Sequence, residues 1–377
     1  MARSLRSHPR FRRWISHRLA PRAAKLTAHW TLSVWVAKAV YAGVFGVHLF
    51  FTLSSFLITS LLLREIDTHG DVHVRAFWIR RILRIWPLYF GFLFAAAAIQ
   101  GLPWRYLLAF SVFFGNYFFV LPGPWPMHTV VAHLWSVSVE EQFYLAWALL
   151  LWAVPGRRLT AVCWAMIALA VAVRTGLWLM SGSYNAIWCS TFTNLEPIAI
   201  GALIALWWRA HPPTLSRIGG WCLGGAGVVS LVVVMRYIGA DEPVIAAHSV
   251  AGLLVALACG AILIAALSRS FPFLAGRTLV YLGQISYGLY VFHYAAGSVV
   301  RGILPHFGLG ETFWLAPLTW SLTLPAAVVS YHIVEKPFLR LKERFTYVAS
   351  GASSQPATAT ALAPPVTRAA DHGVWRA

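Results

Sequence analysis

The chain has 377 residues, of which 59% are hydrophobic and only 11% charged, with a mean hydropathy of +0.67. Soluble globular chains carry about a quarter charged residues, so this one cannot cover a water-facing surface of its size and reads as an integral membrane protein. A formal charge of +18 would suggest nucleic acid in a soluble protein, but the basic residues crowd the ends of apolar runs, as cytoplasmic loops do, and no nucleic-acid partner is expected.

In chain order, residues 1–25 are basic and broken by Pro9 and Pro21, without the apolar core of a cleavable signal. They are expected to form a cytoplasmic N-terminal segment. A span needs about 20 mostly apolar residues, and predicted spans run over 27–45, 46–63, 85–100, 134–154, 159–180, 191–208, 219–237, 245–267, 279–299 and 313–333. The further apolar stretch 106–121 is judged by charge. If it is re-entrant or interfacial, the inner loops and the two ends hold all but five of the 30 Lys and Arg residues, namely Lys38, Arg105, Arg174, Arg236 and Arg301. A full crossing there would instead put Arg157 and Arg158 outside, against the positive-inside rule. The expected architecture is an all-α polytopic bundle of about ten transmembrane helices in the inner (plasma) membrane, with both termini cytoplasmic. The membrane domain covers 26–345, and the tail 346–377, rich in Ala, Thr, Ser and Pro, has a composition suited to disorder.

Ionisable groups inside spans are costly, so each is a candidate for function. The densest group runs from His133 to Tyr144 (HLWSVSVEEQFY). On a helix Ser136, Glu140 and Tyr144 recur every four residues and share one face, while Ser138 and Gln142 mark a second, with Glu141 nearby. Two adjacent carboxylates entering a span repel unless one is protonated or paired with a cation; the plainer alternative is an acidic cap on the helix start. A second group, Arg75 to Tyr89, spaces Arg80, Arg81 and Arg84 three or four apart. Such a surface at the cytoplasmic boundary suits phosphates, and equally suits anionic lipid heads. His29, His48 and His293 fit proton transfer near neutral pH or interhelical hydrogen bonding. Glu196 lies in the sixth predicted span, and Glu335 closes the tenth beside Lys336. The four cysteines form no close pair and read as core residues. No metal, metalloprotease, hydrolase-elbow or P-loop pattern occurs, and no repeat symmetry supports a transporter.

Several of these stretches together carry a resemblance. They are GVHLFFTLSSFLIT from Gly46, RILRIWPLY from Arg81, LWSVSVEEQFY from Leu134, ISYGLYVFH from Ile285 and EKPFLRL from Glu335. In this order and spacing, from about residue 43 to 344, the chain resembles the acyltransferase-3 family of integral-membrane acyltransferases. The resemblance implies ten membrane helices and transfer of an acyl group, with acetyl expected. The donor is usually cytoplasmic acyl-CoA and needs no metal; the acceptor is a hydroxyl of a carbohydrate, lipid-linked glycan or small molecule. By position it implies Arg81 and Arg84 as coenzyme contacts. It also implies Glu140 as a functional acid and His29, with ten residues between it and Arg18, as the active histidine. The residue reading adds Arg80 to the coenzyme contacts and Glu141 to the catalytic set. It leaves Ser136, Tyr144, Glu196 and His293 as candidate substrate-binding residues. Three features depart from the family: Pro21, Arg22 and Lys25 interrupt the stretch before His29, His48 stands where an aspartate is usual, and Ser55 where glycine is usual. The alternatives are a transporter or flippase of a glycan or acylated metabolite, and a catalytically impaired member of the family.

Overall fold

In hydrocarbon every backbone N–H must find its partner inside its own segment, which makes apolar runs into helices. The computed structural model describes residues 42–121, 129–181, 183–211, 215–238, 245–268, 271–307 and 311–345, and among them no strand occurs. The predicted first span, apart from the last turn Ala42–Phe45, lies outside the described residues, as do segments 1–25 and 346–377.

Helix α1 (Gly46–His69) stops at Gly70, whose φ of 79° favours glycine and whose N–H donates to the Ile66 carbonyl. After a short turn, α2 (Val74–Gln100) begins well before the predicted start at 85. The expected cytoplasmic loop 64–84 is therefore mostly helix, and Arg75, Arg80, Arg81 and Arg84 stand on α2. Long arginine stems let a helix continue through the interface while the charges find polar surroundings. The stretch 106–121 splits into α3 (Trp104–Ser111) and the single turn Tyr117–Val120. Eight residues extend about 12 Å, well short of a hydrocarbon core of about 30 Å, so α3 cannot cross by itself. The break falls at Phe113, which holds a φ of 58°.

Then follow α4 (Trp135–Ala153), α5 (Gly156–Ser181), α6 (Leu195–Ala210), α7 (Arg217–Ile238) and α8 (Ile245–Leu267). The predicted ninth span is divided at Ile285 into α9 (Arg277–Gln284) and α10 (Ser286–Ile303). Helix α11 (Glu311–Ser330) leads through a π-helical turn, Tyr331–Glu335, into α12 (Lys336–Glu343). Among the described residues five helices, α1, α2, α5, α7 and α8, are long and apolar enough to cross a membrane. Helix α4 is diluted by its own polar residues, from Ser136 to Gln142, and α6 has only 16 residues.

Helix α1 is the axis on which the site is built. Its small residues admit α6 closely: the Ser55 hydroxyl donates to the Ile198 carbonyl at 2.7 Å. A Cβ on Gly201 would lie 2.1 Å from the Thr52 carbonyl oxygen. Small residues at membrane-helix contacts allow this approach. On another side α1 packs with α2 and α4 around Phe51, Leu62, Phe77, Tyr89, Leu93 and Trp147.

Candidate active site

A cavity of about 830 Å³ lies between α1, α2, α4 and α10, with α12 at one end. Helix α1 lines it with Gly46, Phe50, Leu57, Leu61 and Arg64, a stripe at helical spacing that extends about 27 Å along the axis. The cavity thus follows α1 through most of a bilayer's depth. Arg81 and Arg84 enter from α2, Ser136, Glu140 and Tyr144 from α4, Tyr287 and Tyr290 from α10, and Lys342 from α12. The tight α1–α2 turn brings Arg64 to the same end as Arg81 and Arg84, so one end is cationic.

Further along, Glu140 is buried and Ser54 Oγ donates to its Oε1 at 2.7 Å. The Tyr144 hydroxyl donates to the same oxygen from one helical turn away, and lies 2.5 Å from Ser54 Oγ. The Arg81 guanidinium sits over the Tyr144 ring, 5.4 Å from its centroid, and 5.6 Å from that of Phe77, a cation–π placement. Toward the opposite end, Tyr290 donates to the His133 carbonyl at 2.6 Å. With its single proton so committed, Tyr290 must accept from Ser136 Oγ, 2.5 Å away.

The second face of α4 has another task. Gln142 Nε2 donates to the Phe113 carbonyl at 2.6 Å and to Asn116 Oδ1 at 3.1 Å, while Thr191 donates to Gln142 Oε1 at 2.6 Å. This network holds the broken segment after α3 in place, including the unusual backbone at Phe113. Glu141 also turns from the cavity, accepting from Trp86 Nε1 at 3.1 Å.

Not every candidate meets the others. Arg80 is turned away from Arg81 and Arg84 and bonds Glu65 and the Phe345 carbonyl, so it does not line the cavity. Glu196 pairs with Arg174 in the α5–α6 contact, also off the cavity. His293 lies behind Tyr290, its Nδ1 2.5 Å from the Tyr290 carbonyl and its ring 5.1 Å from that of His133. His48 is buried against Trp188 and Phe45. His29 lies outside the described residues.

A family model described as an acyltransferase domain, Acyl_transf_3, matches residues 16–332. The chain belongs to the acyltransferase-3 family. Among its relatives is the Bacillus subtilis (strain 168) protein named "Putative peptidoglycan O-acetyltransferase YrhL", 28% identical, with 85% of this chain and 55% of that protein aligned. Another is the peptidoglycan O-acetyltransferase OatA of Listeria monocytogenes, 25% identical over 78% of this chain and 51% of that protein. The chain therefore spans about half the length of these curated relatives. No solved structure matches it at a significant level. Within this acyltransferase-3 member, a multi-pass membrane protein, residue reading overlooked Ser54, Arg64, Tyr290 and Lys342. Ser54 and Arg64 lie on the same helical stripe as Phe50, Leu57 and Leu61, so projecting α1 onto a wheel would have found both. Tyr290 sits three residues after Tyr287, on the same face of α10. Lys342 has no such signal, because only the folding of α12 across α2 brings it to the cavity.

Proposed function

We propose that this chain is the membrane part of an O-acyltransferase that moves an acetyl group from acyl-CoA to a hydroxyl of a cell-envelope carbohydrate. In this reading ten helices cross the inner membrane and both termini are cytoplasmic. One observation carries it: Arg81, Arg84 and Glu140 line a single cavity. Guanidinium groups at the cytoplasmic end suit the phosphates of the coenzyme, and a volume of about 830 Å³ suits a ligand of that class. The names of the relatives support acetyl as the group and a glycan as the acceptor.

The thioester arm runs from the cations toward Glu140. The acceptor hydroxyl attacks the thioester carbonyl and gives its proton to a base, His29 by family position. A C–O bond forms, the C–S bond breaks, and the departing thiolate of CoA takes up a proton. Glu140, held by Ser54 and Tyr144, orients or charge-balances the histidine or binds the acceptor. The Ser136 hydroxyl, which lines the cavity, turns its single proton from Tyr290 to the developing oxyanion.

Membranes carrying the wild type, His29→Ala or Glu140→Gln are supplied with labelled acetyl-CoA and acceptor glycan, and both transfer and free CoA are measured. General-base loss costs about 10²–10⁴-fold in rate, and that drop is expected for His29→Ala; Glu140→Gln is expected to lose at least tenfold. Undiminished transfer in either variant removes that residue from the scheme. A wild type that releases no CoA while moving glycan across the membrane is a transporter instead.

A further inference from the structure

Helix α12 comes after the last predicted span, yet it reaches the cavity. Its Lys342 lines the same end as Arg64 of α1 and Arg81 and Arg84 of α2. The device that holds it there is buried beside α2. Glu65, 1% exposed, accepts from Arg80 Nη2 at 3.0 Å and from the His73 backbone N–H at 3.1 Å. The other terminal nitrogen of Arg80 donates to the Phe345 carbonyl at 2.8 Å, just past the end of α12. Carbonyls at a helix C-terminus lack intrahelical partners and carry the negative end of the dipole, so a guanidinium is a fitting anchor. One arginine thus ties α1 and α2 to α12.

Cations gather at that end, with Glu343 opposing them on Lys342's own helix and Glu335 facing Arg84. Burial, and then repulsion from Arg84, Arg81 and Arg80, pull the Lys342 ammonium down to about 8. Glu140, the acid in the cavity, is already engaged by two hydroxyls. Cations so gathered are relieved by an anion with several oxygens.

We propose that α12 is part of the donor site: the Glu65–Arg80 clamp fixes it across α2 so that Lys342, with Arg64, Arg81 and Arg84, completes a four-cation cradle for the phosphates of a nucleotide-borne thioester. Glu65 and Arg80 are then positioning residues that touch no ligand. The inference rests on the acyl-CoA reading above and adds to it a phosphate contact and the clamp that places it.

The full chain in nanodiscs is titrated with CoA and with pantetheine, which lacks the phosphates. Lys342→Gln is expected to lower the ratio of CoA to pantetheine affinity about tenfold, the worth of one charged hydrogen bond, while Lys342→Arg restores it. Lys342 is half-buried at the mouth, so these variants keep the fold. Glu65→Gln is expected to weaken CoA in the same direction, and the double variant Glu65→Gln with Lys342→Gln to be no weaker than Lys342→Gln alone, since the clamp acts through the lysine. Equal loss of CoA and pantetheine overturns the proposal, for the change then reshapes the cavity. So does CoA binding unchanged by Lys342→Gln together with weaker association of phosphatidylglycerol with the nanodisc-held protein, which would make the cradle a lipid-headgroup site. If the wild type binds no CoA, the acyl-CoA reading falls and takes this inference with it. If the wild type binds CoA and Lys342→Gln binds it equally, this inference alone falls.

Discussion

Replacing Glu196 by alanine is expected to destabilise the fold rather than to alter substrate handling. Arg174 of α5 meets this carboxylate through two bonds, at 2.8 and 2.5 Å, and donates a third to the Thr193 carbonyl at 2.6 Å. Side-chain exposure is 7% for the arginine and 0% for the glutamate. Helix α8 presses on the same guanidinium, since a Cβ on Gly252 would lie 2.2 Å from its Cζ. Glu196→Ala therefore leaves a buried cation without its counter-charge, which typically costs about 3–5 kcal/mol, a large part of a total stability on the order of 5–15 kcal/mol. Replacing both partners by leucine removes both desolvation penalties and is expected to recover most of that loss. The assay is SDS or thermal unfolding of the full chain in detergent, followed by tryptophan fluorescence, for the wild type, Glu196→Ala, the single variants Glu196→Leu and Arg174→Leu, and the double leucine variant. Wild-type stability in Glu196→Ala, or a double variant as unstable as the sum of the singles, would refute the reasoning. Normal folding of Glu196→Gln with a selective loss of acceptor binding would return Glu196 to the substrate site.

Gly201→Ala is expected to cost about 1–3 kcal/mol by overpacking, because the added Cβ would lie 2.1 Å from the Thr52 backbone oxygen, which cannot swing aside; a lowered melting temperature checks this. The donor end is expected to respond to pH through Lys342. Burial, with Arg84, Arg81 and Arg80 repelling and Glu343 on its own helix opposing, sets its ammonium at about 8, and Arg64 faces the same cavity end from α1. As pH rises through about 8 the free protein loses this cation, so CoA affinity falls there. Lys342→Arg abolishes the step, because a guanidinium stays charged. Calorimetric titrations at several pH values check the profile, and a wild-type affinity that is level through that range counts against the cradle.

Much of the site was legible because helical spacing is a local property. Ser136, Glu140 and Tyr144 do share the face that lines the cavity, and Gln142 on the second face has its own polar partners. Arg81 and Arg84 point together as their spacing of three implies. Arg80 was misplaced by the same rule: adjacent helical residues diverge by about 100°, and whether the third arginine joined the other two depended on what lay beside it. That was Glu65, on the preceding helix, and the Phe345 carbonyl near the far end of the chain.

The sequence by itself determined that this chain enters the bilayer, since so few charges cannot cover a water-facing surface of its size. It determined the family, and which polar side chains lie on a common helical face. Only the tertiary structure decided where those faces point. Pairing of Glu196 with Arg174, the clamp on α12 and the arrival of Lys342 beside Arg81 all depend on contacts between distant segments. Periodicity states which residues are neighbours along one rod, whereas buried charges choose their partners by what the packing of several rods brings within reach.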